Sequence, residues 1–236
     1  MAQHSPPLTG ITVIALEHAI AAPLATRQLA ELGARVIKIE RTDGGDFARH
    51  YDSRARGLSS HFVWTNRSKE SLTLDLKQAA GLNVLNTLLS TADVFIQNLA
   101  PGAATKMGLD KQTLAVRNPK LIVCDISGYG SSGPHSSRKA YDLLIQAEAG
   151  FLGITGNQAQ GAKSGISIAD IAAGTQAHAA ILAALIQRGK TGLGSHIEIS
   201  MLEAMTEWMG YPLYYSLDEA AQPARTGTDH ATIYPY

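Results

Sequence analysis

The stretch "ITVIALEHAIAAPLATRQLAELGARVIKIE", residues 11–40, decides the fold. Its first six residues, "ITVIAL", are an unbroken apolar run rich in branched side chains, the pattern of a strand buried on both faces. "PLATRQLAELGA" (23–34) then reads as a helix, with Pro23 at a first helical position, Gly33 at its close, and Leu24, Leu29 and Leu32 on one side. "RVIKIE" (35–40) follows as a second strand. Strand, helix and strand at this spacing make a parallel β-α-β unit.

The same rhythm continues outward. Strands are predicted at "SLTLDL" (71–76), "DVFIQN" (93–98) and "LIVCDIS" (121–127), with a helix over 78–91 and helical sequence within 103–118. Beyond residue 138 the composition turns helical, at 140–150 and 169–188, around the polar loop "ITGNQAQGAKSG" (154–165). "HIEIS" (196–200) adds a strand and 201–216 a last helix. This alternation predicts an α/β fold, a Rossmann-like parallel sheet with helices on both faces. Such sheets bind ligands at the carboxyl ends of their strands. Three loops there merit attention: "EHAIAA" (17–22), "QNLAPG" (97–102) and "SGYGSSG" (127–133).

Composition narrows the function. Hydrophobic residues make up 45% and charged residues 17% of 236, as expected of a globular chain with a substantial core. Twenty basic residues balance twenty acidic ones, so no charge excess points to nucleic acid or an anionic membrane. The single cysteine, Cys124, excludes an intramolecular disulfide and reads as inert core. "MAQHSPPLTG" has no signal-peptide pattern, and the apolar run "AHAAILAALI" (177–186) is short for a membrane span, so a cytoplasmic, membrane-free protein is expected. His18, His135, His178 and His196 are scattered without metal-ligand spacing, and no metal is expected. The chain stops at "HATIYPY" just after a polar stretch, which suggests a shortened chain.

Two features bear on chemistry. Glu40 ends the second strand where dinucleotide-binding folds place a ribose ligand, but the first turn, "EHAIAAP", has no glycine fingerprint. A dinucleotide is therefore disfavoured, and Glu40 reads as a solvated turn residue. Asp170 stands in "SIAD", a capping pattern with Ser167 as cap and Asp170 at the third position. The carboxylate serves either that cap or a reaction. At a helix start the positive end favours its ionised form by about 0.3–1 kcal/mol, which would keep it charged at neutral pH.

Seven blocks, in order, carry a resemblance: residues 8–41, "NRSKESLTLDLK" (66–77), "ADVFIQNLAPGAATKMGL" (92–109), "SGYGSSGP" (127–134), "KAYDLLIQAEAG" (139–150), "GISIADIAAG" (165–174) and "RGKTGLGSHIEISMLEAM" (188–205). Together they resemble the class III CoA-transferases, the formyl-CoA and carnitine-CoA transferase type. The resemblance implies a large domain over 1–216 and, from 217 to 236, the start of a linker into a small domain that this chain lacks. It also implies a homodimer of interlocked chains, and acyl-CoA and a small carboxylic acid as substrates with no permanently bound cofactor.

Roles are likewise implied by that resemblance. Asp170 stands at the catalytic aspartate. His18, Ala19, Ile20 and Ala21, with Arg41, Leu74 and Lys77, would hold the adenine and ribose-phosphate end of CoA. Asn98 and Leu99 would line the pantetheine path, Lys106 stands where some relatives have arginine, and Lys139 and Asp142 flank the site's mouth. "GYGSSG" is a candidate for oxyanion donors, alongside a family glycine loop beyond residue 236. The blocks around 139–174 and 200–209 look most like relatives that exchange C4–C5 dicarboxylates such as mesaconate, itaconate or citramalate with succinyl-CoA. Racemases acting α to a CoA thioester share the fold but carry Gly-His-Asp where this chain has Ala140-Tyr141-Asp142, and a tyrosine is a poor substitute for a histidine base. A non-catalytic CoA-binding protein is the remaining alternative.

Overall fold

A computed structural model describes residues 5–218 and 220–236. Six strands form one sheet: β1 (Thr12–Leu16), β2 (Arg35–Glu40), β3 (Glu70–Thr73), β4 (Val94–Gln97), β5 (Ile122–Ser127) and β6 (His196–Ser200). Their order is β3-β2-β1-β4-β5-β6, and every neighbouring pair is parallel. The predicted α/β sheet is therefore the observed one. β1 and β4 lie at its centre and are buried almost throughout, as their continuous apolar runs require.

Between those two strands the connection order reverses. The chain winds outward from β1 through β2 to β3, then crosses back to place β4 on the other side of β1. The crossing is made by α3 (Ala79–Thr91), which buries Leu85 and Leu89. The loops leaving β1 and β4 thus diverge at a switch point, where open sheets of this kind leave a crevice.

On one face α1 (Ala21–Glu31) and the long α8 (Ile168–Thr191) pack together over the sheet, with α9 (Met201–Trp208) beside them. Their contact is built from small side chains: Ala21, Ala22 and Ala25 of α1 face Ala172, Ala173, Gly174 and Ala177 of α8, all buried. A Cβ at Gly174 would lie 2.5 Å from the carbonyl oxygen of Ala21, so the two helices meet backbone to backbone. The opposite face carries a second apolar layer of Ile14, Leu16, Ile37, Ile39, Phe95 and Leu114.

Several sequence expectations need correction. α1 begins at Ala21, two residues before Pro23, which the first turn tolerates because its N–H would have no helical partner there. The segment 41–69, in which the sequence pattern predicts no element, holds a 3-10 turn (Phe47–His50) and α2 (Ser60–Asn66), the latter capped by Ser59. The helix expected over 201–216 is two, α9 and α10 (Gly210–Tyr215), 103–118 likewise holds α4 (Ala103–Lys106) and α5 (Lys111–Arg117), and the short α7 (Phe151–Ile154) precedes the polar loop. At 24 residues α8 is far longer than its ten-residue apolar core and long enough to cross a bilayer, yet here it is a core helix packed on α1, α6 (Asp142–Glu148) and α9. Trp208, Tyr211, Tyr214 and Tyr215, whose clustering in sequence suggests either core or a dimer interface, are between 42% and 74% exposed in the single chain, which leaves the second of these. Residues 220–236 lack regular structure and lie against the 155–161 loop through Arg225, whose Nε donates to the Asn157 carbonyl at 3.0 Å, and Gly227.

Candidate active site

A cleft of about 1030 Å³ opens at the switch point. Its floor is the turn after β1 and its walls are the loops after β4 and β5, the aromatic segment 47–64 and the N-terminal turn of α8. Nine of the thirteen residues selected from sequence line it: His18, Ala19, Ile20, Ala21, Asn98, Leu99, Lys139, Asp142 and Asp170. The other four lie outside. Arg41 is exposed after β2, touching Asp43 at 3.4 Å; Leu74 packs into the apolar layer beyond β3; Lys77 and Lys106 are exposed, Lys106 on α4.

The turn after β1 is fixed by side chains. Asn98 acts as a surrogate strand, accepting the His18 N–H on Oδ1 at 3.0 Å and donating from Nδ2 to the His18 carbonyl at 2.9 Å. Its amide is thereby committed to the turn. Ala19 then adopts φ +64°, a conformation that costs a residue bearing a Cβ, and its N–H donates to Asp46 Oδ1 at 3.1 Å. Where dinucleotide folds use glycine, this chain holds an alanine in place with hydrogen bonds.

Beneath the turn is a buried charge network. Lys38 is 1% exposed, bonds Asp46 Oδ2 at 2.7 Å and Asn66 Oδ1 at 2.9 Å, and lies 3.6 Å from Glu17. Lys69 reaches the same Glu17 at 2.6 Å, and Thr26 donates to it at 2.7 Å. Burial opposes the charge on Lys69 and brings it down to about 8, while for Glu17 burial is outweighed by its two lysines, which hold it low. Each buried charge is thus paired, as its desolvation demands. Glu40 is not the solvated residue expected: it is 5% exposed and accepts both arms of the Arg49 guanidinium, at 2.9 and 2.6 Å, together with the Ser71 hydroxyl and the Asp46 N–H. It bears on the turn through Asp46 and does not face the cleft.

Asp170 sits in the first turn of α8. The capping pattern misleads here, since the Ser167 side chain makes no capping bond. Asp142 caps α8 from another helix: its Oδ1 accepts the N–H of Ala169 at 2.8 Å and of Asp170 at 3.3 Å, while its Oδ2 accepts from Gln146 at 2.6 Å. Ile20, the residue before α1, also offers no side-chain cap. Asp170 lies close to that helix end, and the Ala21 backbone N–H acts to lower its pKa.

These surroundings set the charge of Asp170. Burial first, and the neighbouring Asp142 second, raise its pKa from the ordinary 3.8 to about 7, against the lowering effect of the Ala21 N–H. Each unit corresponds to about 1.4 kcal/mol, so burial outweighs the helix-end contribution of about 0.3–1 kcal/mol. The expectation that the helix end would keep Asp170 fully charged at neutral pH is therefore corrected: it titrates there. Burial also pushes the Tyr51 hydroxyl up to about 12, assisted by Asp46, Asp170 and Tyr141.

Sequence reading missed the cleft's aromatic wall. His18, Phe47, Tyr51 and His61 form a chain of ring contacts with centroids 5.0, 5.9 and 5.4 Å apart, and Trp64 joins the same wall. The density of aromatic residues in "FARHYD" (47–52) and "HFVW" (61–64) was the available signal. Of "GYGSSG", Gly128 alone reaches the cleft, beside Ser127.

A family model described as CoA-transferase family III matches residues 8–236. The succinate–glutarate CoA-transferase of Agrobacterium fabrum is 38% identical over the whole chain, and the succinyl-CoA:glutarate CoA-transferase of Homo sapiens is 35% identical over 98% of it. The chain spans 61% and 53% of the lengths of those two proteins. A crystal structure of a CAIB/BAIF family protein from Brucella suis superposes with a TM-score of 0.91 at 35% identity, covering 99% of this chain and 63% of that one. The chain belongs to CoA-transferase family III.

Proposed function

We propose that, as a member of this family, the protein moves CoA from an acyl-CoA donor to a free carboxylic acid, with Asp170 as the covalent nucleophile. The observation that carries this reading is the position of Asp170: a carboxylate lining the switch-point cleft at the start of α8, raised to about 7 by burial beside Asp142.

The chemistry is nearly balanced in energy, because one thioester is broken and another made. What must be overcome is the poor nucleophilicity of a carboxylate and the loss of the thioester to water, and covalent catalysis answers both. A carboxylate oxygen of Asp170 attacks the donor thioester carbonyl, forming a mixed anhydride and expelling CoA thiolate. The thiolate attacks the aspartyl carbonyl, forming an aspartyl thioester and releasing the donor acid. The acceptor carboxylate then displaces the thiolate to give a second anhydride, and the thiolate takes the acceptor acyl group, freeing Asp170. A buried carboxylate of raised basicity is a stronger nucleophile than one in water. Each tetrahedral oxyanion needs fixed N–H donors, and the glycine turn after β5, which reaches the cleft at Gly128, is the proposed source.

CoA would enter past His18, Asn98, Leu99 and Lys139, with its nucleotide end extending over the loops after β2, β3 and β4 towards Arg41, Leu74, Lys77 and Lys106. Dicarboxylic acids are the proposed substrates, a reading supported by the names of the two enzyme relatives, and a homodimer is included, for which the exposed aromatic strip of α9 and α10 offers apolar area. The test is trapping: full-length protein incubated with succinyl-CoA and hydroxylamine should carry a hydroxamate at Asp170 by mass spectrometry. An unmodified Asp170 would sink the covalent step. Deuterium exchange at the α carbon without any acceptor acid would favour the racemase alternative.

A further inference from the structure

The carboxyl edge of the sheet carries a row of polar side chains that stands outside the cleft yet is tied to its wall. We infer that Gln97 is a positioning residue for CoA binding: the Asp125 carboxylate orients its amide, and the amide oxygen fixes the backbone that carries Asn98 and Leu99 into the cleft. This deepens the proposed CoA path and rests on it.

The row follows from strand register. Gln97 ends β4 and pairs with Asp125 on β5, which pairs with Glu198 on β6. Gln97 and Asp125 share a sheet face with Phe95 and Val123, two residues earlier on the same strands and buried in the second apolar layer. Gln97 itself is 9% exposed. Polar groups over such a floor need partners, and these have them. Gln97 Nε2 donates to Asp125 Oδ1 at 2.9 Å, and His196 Nε2 lies 2.7 Å from Asp125 Oδ2. Glu198 accepts the Ser131 hydroxyl at 2.7 Å.

The chemistry of these groups sets the orientation of the amide. A carboxylate only accepts, so Asp125 takes the NH2 end of Gln97, and the oxygen end must face the other way. His196 engages the second carboxylate oxygen and keeps Asp125 from turning. Gln97 Oε1 then accepts the Leu99 N–H at 2.7 Å. The N–H before it, that of Asn98, donates to the Leu16 carbonyl at 3.3 Å. With two successive N–H groups held, the chain leaves β4 in one direction, and the Asn98 amide meets both backbone groups of His18.

His18, Asn98 and Leu99 line the cleft, whereas Gln97, Asp125 and His196 do not. Loss of the Gln97 amide therefore frees the Leu99 N–H and loosens the wall that the pantetheine arm would follow. Asp170 and Asp142 stand on α8 and α6 and keep their places. The loss should fall on CoA binding and spare the chemical step.

The experiment uses full-length protein and three readouts: the dissociation constant for CoA by calorimetry, hydrogen exchange of the Leu99 amide, and kcat and KM with succinyl-CoA and glutarate. Gln97→Met keeps the length of the side chain and removes both bonds. The expected result is CoA binding weakened about 5–20-fold, faster exchange at Leu99, KM for succinyl-CoA raised by the same factor, and kcat within about two-fold of the parent. Asp125→Ala should act in the same direction and add nothing on top of Gln97→Met, because it works through the same amide. Asp125→Asn retains an acceptor for Gln97 Nε2 and should bind CoA within about two-fold of the parent. Phe95→Leu, on the same strand face, should lower the melting temperature and leave CoA affinity unchanged. The inference is overturned by a folded Gln97→Met with parental CoA affinity and an equally protected Leu99 amide. It is equally overturned by full additivity of Asp125→Ala, or by a Phe95→Leu that weakens CoA as much as Gln97→Met. If Gln97→Met does not fold, Asp125→Ala decides on the same two readouts. A parent protein that binds no CoA would sink the functional reading alone, and exchange at Leu99 would still decide whether Asp125 and Gln97 hold the wall.

Discussion

Asp142 Oδ1 accepts the backbone N–H of Asp170 at 3.3 Å, so the group that fixes the start of α8 is also the charge that keeps Asp170 from ionising early. One acid orients the backbone and raises the pKa of the other. With Asp170 at about 7, activity should fall as pH drops through neutrality, because the nucleophile is then protonated. A plot of kcat against pH checks this, and an acid limb near 4 would contradict the assignment. Asp142→Asn should bring that limb down, by removing the like charge while keeping an acceptor for α8.

Asp170 should also cost stability at neutral pH. Its folded pKa lies above its unfolded value of about 3.8, so the fold is most favoured below that value and loses stability as pH rises towards about 7. Asp170→Asn removes this cost. The variant should be inactive yet more stable than the parent at pH 8, by about 1–3 kcal/mol, and no more stable near pH 4. Thermal unfolding at the two pH values gives the answer.

The β-α-β rhythm was legible because strands buried on both faces and helices with one apolar side leave plain periods in the residues from "ITVIAL" to "LIVCDIS". Asp170, His18 and Asn98 could be picked out because family blocks and strand ends coincide there. What escaped was the segment 41–69. Its elements are short and are held by side-chain pairs eight, nine and 31 residues apart that follow neither the helix nor the strand period: Asp46 with Lys38, and Glu40 with Arg49 and Ser71. Nothing in a local window announces such pairings. The capping pattern at Ser167 misled for the same reason, since the cap came from Asp142, 27 residues from Ala169 in the chain.

Glu40 makes acid stability testable. Burial raises its pKa, but the Arg49 fork, the Ser71 hydroxyl and the Asp46 N–H outweigh that and hold it at about 2. A depressed carboxylate contributes stability above its unfolded value near 4.5, and the contribution is lost as pH falls towards about 2. Glu40→Gln should therefore lower stability at pH 7 by about 1–3 kcal/mol and flatten the dependence between pH 4.5 and 2. Urea unfolding across that range is the measurement; parallel curves for the two proteins would mean the pair contributes nothing.

Arg41 tests the proposed path of the nucleotide. It is exposed and bonded only loosely, to Asp43 at 3.4 Å and the Gly45 carbonyl at 3.4 Å, so a phosphate can take it without breaking a strong pair. Arg41→Ala should raise KM for acyl-CoA about 3–10-fold with kcat unchanged, and the effect should shrink at high salt. A dephospho-CoA thioester should show less of it. An unchanged KM would place the phosphates elsewhere.

Gly174 ties packing to chemistry. A methyl group there would lie 2.5 Å from the Ala21 carbonyl and 3.3 Å from the Leu24 side chain, and the backbone contact cannot yield by turning a rotamer. Gly174→Ala gains helix propensity of about 1 kcal/mol at most. Forcing α1 from α8 costs more, about 1–3 kcal/mol, so the variant should be less stable overall. The displaced helix begins at Ala21, whose backbone lowers the pKa of Asp170, and Asp170 lies four residues and one turn from the substitution. The loss should therefore appear in kcat, with an acid limb moved upward, and not only in melting temperature. Gly189→Ala is the control: it lies on the same helix with no atom within 4 Å of its added methyl, and it should leave both stability and the pH profile intact or slightly improved. Equal behaviour of the two alanine variants would show that the α1–α8 contact has slack, and that the Ala21 N–H is not set by it.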